Sequence, residues 1–193
     1  MSRSLSARGT GELPGYSDGV ADVKPFDRAL RVLAGTPAVI GAALGLARES
    51  EVLDHRNDPE AWSPRQVLAH LLVVERDTIP TRLHRLAAED NVVFASSSSA
   101  PAENAELDNL FEQWAGARAS NLVWLGTLAP EVRAHGSIHP RHGRITLDEH
   151  VVEWAYHDLD HVRQILGQLA ADLYPYMGAW QALYRPPDPA TAA

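Results

Sequence analysis

Residues 146–169, TLDEHVVEWAYHDLDHVRQILGQL, decide how the rest of the chain is read. Thr146 stands where a helix N-cap needs a hydroxyl. Glu149, three residues on, completes a capping box that satisfies two of the free N–H groups at a helix start. The pattern predicts a long helix over about 147–169. On it His157 and His161 lie four residues apart, so both rings leave one face about a turn from each other and two imidazole nitrogens can reach one divalent ion. The same spacing fits a solvated or capped histidine pair, and with nine histidines in the chain a pair at this offset also arises by chance.

Upstream, residues 133–145 (RAHGSIHPRHGRI) read as a loop or short extended excursion, with three histidines, a proline and two glycines. Before them Leu107, Leu110, Phe111, Trp114, Ala117, Trp124, Leu125 and Leu128 recur every three or four residues, with polar Asn121 among them. They predict a helix over about 105–128, closed by Pro130, that carries core rather than chemistry. Residues 91–103 (NVVFASSSSAPAE) are a loop by composition. Trp62-Ser63-Pro64 marks another helix start, Ser63 as N-cap and Pro64 at the first position. Val67, Leu68, Leu71, Leu72 and Val74 then form an apolar face that resumes at Leu83 and Leu86, after a kink or brief break expected at Pro80. Thr36-Pro37 repeats the start signal for a helix to about residue 49, preceded by a shorter turn over 26–34 that Gly35 ends. Four sizeable helices and no convincing strand predict an all-α four-helix bundle, with a last short helix around 177–184.

The chain has 193 residues, 45% of them hydrophobic and 22% charged, the composition of one ordinary globular domain. That domain is expected over 25–184, between a flexible arm at 1–24 and a flexible tail at 185–193. A formal net charge of −8 opposes binding to phosphate backbones or anionic lipid, so neither nucleic acid nor a membrane is expected as a partner. No apolar stretch approaches the ~20 residues needed to span a bilayer and no leader is apparent, which gives a cytoplasmic expectation. The absence of cysteine excludes thiolate ligands and a cysteine nucleophile, leaving histidine and carboxylates to hold any metal.

His70 sits on the apolar side of the second helix, between Val67, Leu71 and Val74. Burying a lone imidazole there costs about 1–3 kcal/mol unless its nitrogens are paired, either by a metal or by an ordinary core hydrogen bond. At this point WSPRQVLAHLLVVERD (62–77), followed by HPRHGRITLDEHVVEWAYHDLDHVRQI (139–165), resembles the DinB-like superfamily, as does LAGTP at 33–37. The resemblance covers about 26–169. It implies an up-down-down-up four-helix bundle, with short extra helices at its ends, in which His70, His157 and His161 converge on a divalent metal. It also implies a metal-dependent enzyme acting on a small molecule, by transfer involving a low-molecular-weight thiol or by hydrolysis. A non-catalytic metal- or ligand-binding bundle or a dimerisation module is the alternative.

Three neutral imidazoles leave coordination positions open, as catalytic rather than structural sites do. Zinc or nickel is the expected ion, with iron or cobalt admissible for an all-nitrogen set. Glu75, five residues after His70, is a candidate general base if helix rotation brings it near the metal. His150 lies on nearly the same face as His157 but ~10 Å along the axis, at the pocket's mouth rather than on the ion. Asp158 and Asp160 either orient an imidazole or form a solvated face. Trp154 is the aromatic expected to wall the pocket, the other tryptophans to pack the core. His135, His139 and His142 belong to a rim loop, not to a second site. A homodimer is expected, through a face the sequence does not identify.

Overall fold

The computed structural model describes residues 23–94 and 106–187. Residues 1–22 of the expected arm, most of the tail and the serine-rich part of the 91–103 loop lie outside the described residues. The first helix, α1 (Pro25–Glu49), is continuous, where two helices broken at Gly35 were expected. Pro37 has no N–H and deprives the Leu33 carbonyl of its helical donor. That carbonyl accepts from Arg118 Nη1 at 2.9 Å instead, with the Thr36 hydroxyl 3.2 Å away. Thr36 therefore caps nothing; it stands inside a longer helix whose defect Arg118 repairs.

Helix α2 (Pro64–Val73) starts as expected, with Ser63 and Gln66 exchanging the two bonds of a capping box. A wide π-helical turn follows at Val74–Thr78, and α3 (Ile79–Ala88) completes the rod. Pro80 would collide with the carbonyl of Arg76 in a regular α-helix. The extra residue of the π turn absorbs that conflict just ahead of the proline, in place of a sharp break. The turn also rolls Glu75 into the core, where it is fully buried.

Helix α4 (Leu107–Leu125) and the single turn α5 (Pro130–Arg133) lead into the region expected to be irregular. It is a two-stranded antiparallel hairpin, β1 (Gly136–His139) and β2 (Gly143–Thr146), with Gly143 at φ +77° in its turn. Val92 adds a bridge to Ser137. Four-residue strands are too short to show the alternation that would announce them. The capped helix α6 (Leu147–Leu173) runs a turn longer than predicted and passes into a 3₁₀ segment at Tyr174–Leu183.

Cross-helix bonds fix the directions. On α1 and α6, Thr36 meets Asp158, while Val23 to Val32 lie beside Val152 to Leu159, so these helices are parallel. Asn57 and Trp62 bond to Gln168 and His70 meets His157, so α2–α3 runs against α6. Asn121 and Arg118 of α4 bond to Glu75, and Gly41 of α1 touches Phe111 of α4 while Leu33 meets Arg118, so α4 runs against α1. The topology is up-down-down-up.

Two apolar clusters fill the described bundle, one around Ile40, Leu68, Trp114 and Ile165, the other around Leu33, Leu83, Leu147 and Trp154. One sequence expectation is corrected: by length and composition α1 is apolar enough to cross a membrane, with a mean hydropathy of 1.6 over its most apolar window. Here its inner face is core, packed on α6 and α4.

Removing a capping hydroxyl leaves a helix-start N–H unsatisfied. Ser63→Ala and Thr146→Ala are each expected to cost about 1 kcal/mol, read as a Tm lower by about 2–4 °C for a domain of this size with unchanged far-UV dichroism. An unshifted Tm in both variants would mean that packing alone sets these helix starts.

Candidate metal centre

The antiparallel run of α2 against α6 brings His70 opposite His157 and His161. His157 Nε2 lies 3.3 Å from His70 Nε2 and 3.1 Å from His161 Nε2. One ring nitrogen from each residue falls within 4.8 Å of the others. Four-residue spacing puts the α6 pair on one face, and His70 reaches them because its side of α2 is buried against α6. Trp62, just ahead of α2, covers the cluster, its ring 4.7 Å from that of His70 and stacked at 6.1 Å on that of His161. The aromatic wall expected from Trp154 is thus provided by Trp62; Trp154 is buried over the Arg118 guanidinium instead.

Burial, then the neighbouring His161 and His70, pushes the His157 pKa down to about 3. Burial lowers that of His161 as well, against the opposing pull of Gln164 and Asp160. At neutral pH both rings are uncharged and available as ligands. Gln164 Oε1 accepts from His161 Nδ1 at 2.9 Å, which holds the proton on Nδ1 and turns the Nε2 lone pair toward the cluster. His157 Nδ1 is buried with no hydrogen-bond partner among the described residues. Three inward-facing nitrogens cannot satisfy one another as neutral rings, whereas a divalent ion accepts all three lone pairs. Zn–N bonds of ~2.05 Å in a tetrahedron give N–N edges of ~3.3 Å, close to the spacings found here. The donor set fits such an ion.

Behind the histidines lies a buried ionic layer that the sequence reading missed. Arg118 of α4, 1% exposed, donates to Glu75 Oε2 from Nε (3.0 Å) and Nη2 (2.7 Å), and to Asp158 from Nη1 (2.6 Å) and Nη2 (3.1 Å). Asn121 donates to Glu75 Oε1 at 2.8 Å, and Thr36 donates to Asp158 at 2.6 Å. The guanidinium lies between the rings of Trp114 and Trp154, 5.2 and 4.9 Å from their centroids. Helix α4 therefore carries more than core. The available signal was a lone arginine one turn before the polar Asn121 on an otherwise apolar helix face.

Glu75 is not placed as a free general base. Burial pushes its carboxyl upward against the pull of Arg118 and Asn121, and both oxygens are committed to those partners. Asp158 is fully buried on Arg118, whereas Asp160 pairs with Arg163 at 2.7 Å. His150 bonds through Nε2 to Ser137 Oγ at 2.8 Å, tied to the hairpin rather than to the three histidines. His135 Nδ1 bonds to the Leu86 carbonyl, and His139 stacks on His142 while accepting the N–H groups of Arg141 and His142. These three build the hairpin and its approach, as expected of a connector.

Removing the cation from a buried pair strands its carboxylates. Arg118→Met is expected to cost about 3–5 kcal/mol by urea unfolding, and Asp158→Asn in that background should recover part of it; additive losses would contradict a shared layer. The low His157 pKa makes the metal-free protein acid-sensitive. Above the unfolded value of about 6.5 neither state binds the proton; below it the unfolded chain takes one that the folded site refuses. Stability with chelator present should fall by at least about 1.4 kcal/mol per pH unit between about pH 6.5 and 5, and His157→Gln should make that slope shallower, leaving the part carried by His161. Equal slopes would remove the assignment to His157.

A family model for the DinB superfamily matches residues 33–165. Among solved structures, YfiT from Bacillus subtilis, described as a probable metal-dependent hydrolase with an unusual four-helix bundle topology, superposes with a TM-score of 0.66 at 20% identity, covering 88% of this chain and 95% of that one. No curated protein matches the chain. The family match includes His70, His157 and His161 and extends over more than half of the sequence, and the chain belongs to the DinB superfamily.

Proposed function

We propose that this protein is a metal-dependent enzyme acting on a small molecule, with His70, His157 and His161 as the ligands of one divalent ion, zinc or nickel ahead of iron or cobalt. The observation that carries the reading is the convergence of three imidazoles, two buried and that of His157 half-buried, at ligand spacing on two antiparallel helices. When bound, the ion would supply Lewis-acid activation of water or of a substrate thiol at its open positions. The chain's own groups would do the rest. Gln164 orients His161, Trp62 shields the cluster from water on one side, and the Arg118 layer fixes α6 against α2 so that the three rings keep their spacing.

The description of YfiT supports hydrolysis, and the resemblance in the histidine-bearing segments supports transfer involving a low-molecular-weight thiol. A non-catalytic metal-binding bundle is favoured by one observation, the engagement of Glu75 with Arg118 and Asn121.

Metal analysis of tag-free protein by plasma mass spectrometry tests the centre. Wild type should hold about one equivalent, lost in His70→Ala and in the His157→Ala, His161→Ala double variant. Wild type free of metal after reconstitution with zinc and with nickel would overturn the reading. A loaded protein that turns over neither hydrolase substrates nor thiol-transfer pairs would leave the binding bundle.

A further inference from the structure

Two helices of this bundle are apolar on two sides. The inner faces of α1 and α6 form core, yet on α1 Val39 and Leu46 stand exposed seven residues apart, with half-buried Val32 seven residues before them at the edge of the core. On the outer face of α6, Val152, Leu159, Leu166 and Leu173 do the same. Val39 and Leu159 are 49% and 47% exposed, and Tyr156, beside the second stripe, is 70% exposed. A helix that is apolar all round is ordinarily buried all round. In α1 only 33% of the most apolar window is buried. The stripes lie side by side, because Val32, Val152, Tyr156 and Leu159 line one shared groove of about 470 Å³.

We propose that this α1–α6 face is an interface between two copies of this chain, packing heptad stripes from two parallel helices against the same pair of the second copy about a twofold axis. The period suits this, since apolar residues every seven positions are what helices use to mesh side chains along a shared seam. The area suits it as well. Helices of 25 and 27 residues are ~40 Å long at ~1.5 Å per residue. Two of them ~10 Å apart present ~800 Å², the share that each partner contributes to a standard stable interface. Arg163, the charge between Leu159 and Leu166, is compensated in place by Asp160. Anionic lipid is disfavoured as the occupant by the net charge of −8. The chain's own residues 1–22 offer only isolated large apolar side chains, Leu5, Leu13, Tyr16 and Val20 among them, too few to fill two stripes. The inference does not depend on the metal reading.

Analytical ultracentrifugation of the full chain at tens of micromolar is expected to give twice the 21.1 kDa chain mass. Val39→Lys and Leu159→Lys, each at an exposed position, should weaken self-association at least about tenfold while leaving far-UV dichroism and metal content unchanged. The chain contains no cysteine, so single cysteines placed in turn at Val152, Leu159, Leu166 and Leu173 report geometry directly. Oxidation should cross-link at least one of them into a covalent dimer, and should not cross-link a Glu112→Cys control on α4. A monomeric wild type overturns the proposal, as does a dimer that survives both lysine variants and cross-links through no stripe cysteine. Monomeric protein that sediments with neutral phosphatidylcholine vesicles also overturns it and assigns the face to lipid.

Discussion

One guanidinium sets the geometry of this bundle. Arg118 reaches α1 through the Leu33 carbonyl, the π turn through Glu75 and α6 through Asp158. No apolar contact has comparable directional force: a leucine can slide by an ångström at little cost, whereas a planar fork between two carboxylates cannot. Such a layer is weak evidence for raw stability, because desolvating three charges offsets much of their attraction. Its effect is on register. Asp158 is adjacent to His157 and Glu75 lies five residues beyond His70, so the interaction that holds the helices in place also sets the spacing of the histidines.

The two helix irregularities acquire a common meaning in this light. Pro37 strips a donor from the Leu33 carbonyl, and the π turn ahead of Pro80 rotates Glu75 inward. Each supplies Arg118 with an acceptor that a regular helix would have hidden or turned away. Defects in two separate helices thus converge on one side chain, and the apolar clusters on either side of the layer pack around it.

Much of the architecture was legible in the chain because its signals are local. The Ser63-Pro64 helix start, the capping box at Thr146 and the periodicity of residues 107–125 act within a few residues and locate three of the four bundle helices. His157 and His161 were legible for the same reason, and His70 through its awkward place on an apolar face. What stayed hidden depends on partners far along the chain. Thr36-Pro37 reads locally as a helix start, and only a bond from residue 118 turns it into the interior of a longer helix. Glu75 and Asp158 look like surface or active-site carboxylates until the arginine that occupies them is known. Trp62 reads as the lead-in to α2, and its stacking on His161 requires α6.

The parallel pairing of α1 with α6 also has a consequence in time. Thr36 and Asp158 are separated by 122 residues, and α1 makes its most extensive packing with α6. During synthesis α1 emerges well before the helix it packs against, and by loop-closure entropy that pairing is among the slowest contacts to form. Until α6 is free to dock, the apolar side of α1 has only provisional cover, and it is in this interval that the nascent chain most needs protection from aggregation.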